Sequence, residues 1–77
     1  MIDAATITEH MEVKGSDGHH VGRVDHIHAD HIELAKMDLQ AMGKHHSIPL
    51  SWIDHVDEHV HLSMTRDETK AQWETMN

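Results

Sequence analysis

Residues 12–27 read EVKGSDGHHVGRVDHI, and this stretch contains two short valine-bearing segments separated by a turn signal. Ser16 and Asp17 are short polar residues that can hydrogen-bond their own backbone, and Gly18 tolerates a positive φ angle. The glycines within the stretch disfavour a helix, because glycine loses more backbone entropy there than other residues. The stretch therefore predicts a β-hairpin.

The second strand of this hairpin has an irregular apolar spacing. Val21, Val24 and Ile27 recur every three positions, which a regular strand cannot place on one face. One extra residue in the strand would restore the alternation, and Gly22 is typical of such a site. We therefore predict a β-bulge near Gly22.

Two later segments alternate apolar and polar residues with the period of a half-buried strand. They are HIELAK, residues 31–36, and HVHLSM, residues 59–64. The side chains expected to face the core are Ile32, Leu34, Val60, Leu62 and Met64. Between these segments, Pro49 cannot donate a backbone hydrogen bond, so a sheet edge, a bend or a tight turn is expected there.

The C-terminal part of the sequence changes to a helical pattern. Thr65 and Glu68 have the spacing of a capping box, in which each side chain bonds the other residue's backbone N–H. This pattern predicts a short helix over residues 65–77. Trp73 is its best anchor, because such a short helix is marginal without tertiary contacts.

Length and composition limit the architecture. The chain has 77 residues, which predicts one domain over residues 1–77, with residues 1–6 as a flexible N-terminus. It has no Cys, Phe or Tyr and two Trp, so the core must consist of aliphatic side chains without disulfide support. A small aliphatic core favours self-association, because a dimer buries more apolar surface.

The charge disfavours two classes of partner. The formal net charge is −8 with neutral histidines, which repels nucleic acids and anionic membrane surfaces. Protonation of all 11 histidines would change it to −8 + 11 = +3, so the sign can reverse in mild acid. No apolar run is long enough to span a bilayer and the start does not resemble a signal peptide, so a cytoplasmic protein is expected.

Three segments together resemble a known superfamily. VKGSDGHHVGRV at 13–24, HIELAK at 31–36 and HHSIPLSW at 45–52 are similar to the PRC-barrel superfamily and to a small bacterial family of uncharacterised proteins within or beside it. The resemblance covers residues 7–69. It implies a mainly β fold, a small PRC-barrel-like antiparallel β-barrel of about five or six strands with a short C-terminal helix. PRC-barrels in the photosynthetic reaction centre and in a ribosome maturation factor are assembly modules, so the resemblance also implies a non-catalytic role.

The histidines suggest a metal site or a solvated surface. His26 and His28, like His59 and His61, are two residues apart, and such side chains share one face of a strand. If the 31–36 and 59–64 strands are neighbours, their polar faces also meet, which gives a candidate ligand set of His26, His28, His31, Glu33, His59 and His61. We favour the other interpretation, in which these residues are ordinary solvent-facing positions. No dedicated cofactor is expected in that case, only adventitious binding of Zn²⁺, Ni²⁺ or Cu²⁺.

No catalytic motif is present in the sequence. Ser51, Asp54 and His55 are a hydroxyl, an acid and a base, but they do not form a nucleophile-elbow pattern. We therefore expect a non-catalytic interaction or assembly module whose partner is another protein or a second copy. The candidate contact residues are the apolar side chains of the 37–43 loop and the two tryptophans: Met37, Leu39, Met42, Trp52 and Trp73. The alternative function is a histidine-rich metal-binding or pH-responsive protein.

Overall fold

Seven β-strands and one α-helix form the described part of the chain, which comprises residues 4–35 and 45–76 in this computed structural model. In chain order they are β1 (Glu12–Lys14), β2 (His20–Ile27), β3 (His31–Leu34), β4 (His45–Pro49), β5 (Ile53–Val56), β6 (Val60–Leu62), α1 (Arg66–Gln72) and β7 (Glu74–Met76). Short 3-10 helices at Ala4–Thr6 and Leu50–Trp52 precede β1 and β5. The mainly β class and the short C-terminal helix are confirmed.

The strands form one mixed sheet in the order β5-β6-β1-β2-β3-β4-β7. Within the described residues the terminal strands β5 and β7 do not pair with each other, so the sheet is open and the predicted closed barrel is wrong. The prediction of a purely antiparallel sheet is also wrong, because β1 and β6 pair in parallel. Apolar alternation identifies strands and their buried faces, but it does not determine which strands are neighbours.

Two irregularities in β2 explain its threefold apolar spacing. Val13 pairs with Gly22 and Lys14 with His20, which leaves Val21 as an extra residue. Further along, Val24 pairs with Leu34 and His26 with Glu33, which leaves Asp25 as a second extra residue. The bulge predicted near Gly22 is confirmed. The second bulge lies in the part of β2 that pairs with β3.

The turn between β1 and β2 packs on the start of α1. Gly18 has a φ angle of 79°, as the turn signal predicted. The Ser16 N–H donates to the Met64 carbonyl at 2.8 Å, and the Arg66 N–H donates to Asp17 Oδ1 at 3.4 Å. A Cβ placed on Gly15 would lie 2.5 Å from the Arg66 nitrogen, so this close approach requires glycine.

The buried core consists of aliphatic side chains, as the composition predicted. Ile32, Ile48 and Val60 have no exposed surface, and Leu34 and Leu62 are 1% exposed. The other members are Ile7, Val13, Val21, Val24 and Ile53. Met64 follows β6 and was predicted to face inward with Val60 and Leu62, but it is only half-buried. Trp52 and Trp73 pack against this core from its periphery.

The chain ends differ from their predictions in extent. The capping box is present, because the Glu68 N–H donates to Thr65 Oγ1 and the Thr65 N–H donates to the Glu68 carboxylate. The helix predicted over 65–77 ends at Gln72, and the backbone continues as a strand that pairs with β4. At the other end, Ala4–Thr6 form a single 3-10 turn, and the flexibility of residues 1–6 stays a prediction.

Pro49 is the last residue of β4 and caps the following 3-10 helix, so the predicted bend is confirmed. The apolar loop predicted at 37–43, with Met37, Leu39 and Met42, lies outside the described residues. In the part of the chain that is described, no helix has the length and apolarity that crossing a bilayer requires.

Candidate functional site

Histidines and carboxylates are paired over much of the protein surface. Among the residues that the structure describes, nine histidines have a ring nitrogen within 4.0 Å of a carboxylate oxygen. We call this arrangement the histidine–carboxylate surface, and its histidines are His19, His20, His26, His28, His31, His45, His55, His59 and His61.

A first cluster lies where β2 turns into β3. His28, His31 and Glu33 each offer one ligand atom within 4.8 Å of the others. His28 Nε2 lies 3.1 Å from Glu33 Oε1, and the two imidazoles stack with their centroids 4.4 Å apart. The Nδ1–H of His31 donates to Asp30 Oδ1 at 2.6 Å. This hydrogen bond is the largest cause of the lowered pKa of the Asp30 carboxyl.

A second cluster lies on the β5–β6 hairpin and consists of His55, Asp57 and His61. His61 Nε2 is 2.8 Å from Asp57 Oδ1, and His55 Nε2 is 3.9 Å from Asp57 Oδ2. The two imidazoles stack with their centroids 4.3 Å apart and their planes at 11°. Hydrogen bonds from the His59 N–H and then from His61 lower the pKa of the Asp57 carboxyl, because both favour the charged form.

Glu12 contacts histidines on both neighbouring strands or beside them, because it belongs to β1, which lies between β2 and β6. Its Oε2 accepts a hydrogen bond from His20 at 2.7 Å, and its Oε1 lies 3.3 Å from His59 Nε2 and 3.9 Å from Lys14 Nζ. The His20 hydrogen bond is the largest cause that lowers the pKa of Glu12. Nothing in the local sequence pattern predicted this bridging role.

The structure brings together part of the candidate metal set. His28, His31 and Glu33 meet, whereas His59 pairs with Glu12 and His26 lies beside Asp25 at 3.6 Å. The condition that the 31–36 and 59–64 strands are neighbours is not met, because β1 and β2 lie between β3 and β6. The same-face pair His59 and His61 has ring centroids 6.0 Å apart with the planes nearly perpendicular.

Sequence reasoning missed His55 and Asp57 as members of a cluster. His55 and His61 are equally far from Glu58 at the hairpin tip, and they pair across the strands. A hairpin centred on residue 58 was therefore the signal that could have found them, since cross-strand partners have their Cβ atoms about 4.5–5.5 Å apart. The rule that residues two apart share one face of a strand had instead paired His61 with His59.

A shallow cleft of about 380 Å³ lies beside the second cluster. It is lined by Gly15, Ser16, Asp54, His55, His61 and Ser63, among others. Asp54 Oδ2 accepts a hydrogen bond from the Nδ1–H of His55 at 2.7 Å. Within the described residues no hydrogen bond joins Ser51 to this pair, so the three residues weighed as a triad do not form one here.

The candidate partner-binding tryptophans lie next to the two edge strands of the sheet, β5 and β7. Trp52 directly precedes β5 and Trp73 directly precedes β7, and both indoles are half-buried. The carbonyl of Trp52 accepts hydrogen bonds from the N–H and the hydroxyl of Ser63, at 2.8 and 3.1 Å. Both tryptophans are therefore partly exposed residues that directly precede an edge strand.

Comparison with known proteins identifies one family. No curated protein matches the chain with a significant score. A family model described as an uncharacterised protein conserved in bacteria (DUF2171) matches residues 7–70, which include β1 to β6 and most of α1. The chain therefore belongs to this bacterial family of uncharacterised proteins, DUF2171.

Proposed function

We propose that this protein is a non-catalytic interaction module of the PRC-barrel-like type, whose partner is another protein or a second copy of the chain. One observation carries the proposal: each open end of the sheet has a half-buried tryptophan next to it. The resemblance of residues 7–69 to the PRC-barrel superfamily supports the same role.

Open sheet ends can accept a further strand. The terminal strands β5 and β7 each have one strand neighbour within the described residues, so their outer backbone groups can bond another chain. Trp52 and Trp73 lie at the beginning of these strands. A large amphipathic ring beside an unpaired edge is a favourable anchor for a partner, because it adds apolar contact to the backbone hydrogen bonds.

A second copy is the partner that the chain itself supplies. Within residues 4–35 and 45–76 the buried core contains ten aliphatic side chains and no aromatic one, and a dimer would increase the apolar area removed from water. The net charge of −8 repels nucleic acids and anionic membrane surfaces, so the proposal includes neither as a partner. The proposed location is the cytoplasm.

Sedimentation velocity over the micromolar range tests self-association. We expect a sedimentation coefficient that rises with concentration. Hydrogen–deuterium exchange at low and high concentration then locates the contact: the amides of β5 or β7 gain protection, while those of the interior strand β3 serve as the control. A constant monomer value over the whole range would remove the second copy as partner.

A second candidate function is histidine-dependent metal binding or pH response. It is favoured by the first cluster, where His28, His31 and Glu33 bring two imidazoles and a carboxylate together. Zn²⁺ or Ni²⁺ should then raise the melting temperature of the chain, because a ligand that binds the folded state stabilises it. An unchanged melting curve in excess metal would reject the metal-binding part.

A further inference from the structure

The β5–β6 hairpin holds its histidines in a fixed relation to one carboxylate. His55 and His61 are cross-strand partners, and the Asp57 N–H donates to the His59 carbonyl at 3.0 Å to close the turn. Asp57 Oδ1 also accepts a hydrogen bond from the His59 N–H at 2.8 Å. The backbone therefore positions the carboxylate beside the Nε2 atoms of the two stacked imidazoles, with Oδ1 near His61 and Oδ2 near His55.

The ring nitrogens of this cluster have defined roles. Because Asp54 Oδ2 accepts the Nδ1–H of His55, the neutral His55 ring carries its lone pair on Nε2. This Nε2 is the nitrogen that points toward Asp57. A metal-bound histidine usually donates the N–H of its other ring nitrogen to a carboxylate or a similar acceptor, which fixes the orientation of the ring.

We propose that His55, Asp57 and His61 bind a divalent transition-metal ion such as Zn²⁺, and that Asp54 orients His55 for this role. The ligand atoms are His55 Nε2, His61 Nε2 and a carboxylate oxygen of Asp57. This site lies apart from the first cluster. The proposal deepens the second candidate function above and rests on it.

The separations between the ligand atoms are close to those that a metal ion requires. Tetrahedral ligand atoms with bonds of about 2.1 Å to Zn²⁺ lie about 3.4 Å from each other. The observed separations are 2.8 Å for His61 and 3.9 Å for His55, each measured to the nearer Asp57 oxygen. Metal binding requires side-chain rotations that bring one Asp57 oxygen near both nitrogens and tilt the stacked rings, whose planes lie at 11°, toward one ion. The exposed fractions of His55 and Asp57, 56% and 57%, leave room for these rotations.

The charge and the free space around the cluster also fit a cation. Two imidazoles and one carboxylate leave a divalent ion with one positive charge, which the adjacent Asp54 carboxylate compensates. When His61 Nε2 binds the metal, it no longer donates a proton to Asp57, and the neutral ring carries its proton on Nδ1 instead. The cleft that His55 and His61 line leaves room for water as a fourth ligand.

The test uses the full chain without an affinity tag, titrated with ZnCl₂ by calorimetry. Long-range ¹H–¹⁵N NMR correlations read the ring nitrogens of each histidine in the same samples. We expect Zn²⁺ to move the Nε2 resonances of His55 and His61. His55→Ala should weaken binding at least about 10-fold, and Asp54→Asn, which keeps the shape of the side chain, by about 10- to 100-fold. His28→Ala, in the first cluster, is the matched control and should retain the site.

Each outcome is decisive for the site. If Zn²⁺ moves only the resonances of His28 and His31, the proposed site is overturned but the second candidate function stands. If the wild-type chain shows neither heat nor shifted resonances, the proposed site and the metal-binding part of the second candidate function are both rejected. The NMR measurement on the wild-type chain does not depend on whether the variants fold.

Discussion

The imidazole of His46 stacks on the indole of Trp73, with their ring centroids 3.7 Å apart and their planes at 11°. His46 belongs to β4 and is 5% exposed, whereas Trp73 is the C-cap of α1. A seven-residue helix is unstable in isolation, because nucleation costs more than so few hydrogen bonds return. This stack therefore contributes to holding α1 on the sheet.

Trp73→Ala should destabilise the protein through the loss of this contact. We expect the free energy of unfolding to fall by about 2 kcal/mol, which is less than the about 3–5 kcal/mol for a fully buried Trp because Trp73 is only half-buried. Urea denaturation followed by circular dichroism measures it. Trp73→Phe keeps a stacking ring and should lose much less; equal losses in both variants would contradict a role for the stack.

The fold was partly predictable because alternation reports which face of a strand is buried. Ile32, Leu34, Val60 and Leu62 are buried as predicted. The threefold spacing of β2 also predicted a bulge, since a regular strand cannot bury all three apolar residues. The parallel β1–β6 pair and the open sheet could not be predicted, because they depend on contacts between segments that are distant in the sequence.

The candidate site was predictable only where the ligands are close in sequence. His28, His31 and Glu33 meet because one tight connection joins β2 and β3. His26 follows the bulge at Asp25 and lies beside that carboxylate, and β2 ends at Ile27, so strand alternation does not extend to His28. A rule that assumes a regular strand fails at both features.

Gly15→Ala should weaken the contact between the β1–β2 turn and α1. The added methyl would lie 2.5 Å from the Arg66 nitrogen and 2.9 Å from the Thr65 carbonyl carbon, so the backbone must move. We expect a loss of about 1–3 kcal/mol in unfolding free energy, as for other overpacked sites. Chemical denaturation measures the loss.

Gly18→Asn is the matched control in the same turn. Gly18 has a positive φ angle, but no atom lies within 4 Å of an added Cβ, and asparagine tolerates this backbone conformation. The control should therefore cost less than Gly15→Ala. The opposite order would show that turn strain, and not contact with α1, dominates.

Thr65→Ala should remove one half of the capping box. The Thr65 hydroxyl accepts the Glu68 N–H at 3.1 Å, and without it this helix N–H has no side-chain acceptor from the cap. We expect a loss of about 1 kcal/mol in unfolding free energy. Thr65→Ser keeps the hydroxyl and should remain close to wild type in the same denaturation experiment. A silent Thr65→Ala would show that packing alone fixes the start of α1.

Glu12 should make stability depend on pH in the acidic range. Its pKa is lowered from the ordinary value of 4.5, chiefly by the hydrogen bond from His20, so the folded state binds this proton more weakly than the unfolded state. The stabilisation is therefore fully present above about pH 4.5 and is lost as the pH falls through the lower folded-state pKa. Glu12→Gln should be less stable than wild type at neutral pH, and the difference should shrink below pH 4.5, while Glu9→Gln, at an exposed position, serves as the control. Urea denaturation at several pH values measures the stability difference, and NMR titration measures the pKa of the Glu12 carboxyl. A difference that grows as the pH falls below 4.5 would contradict the assigned direction.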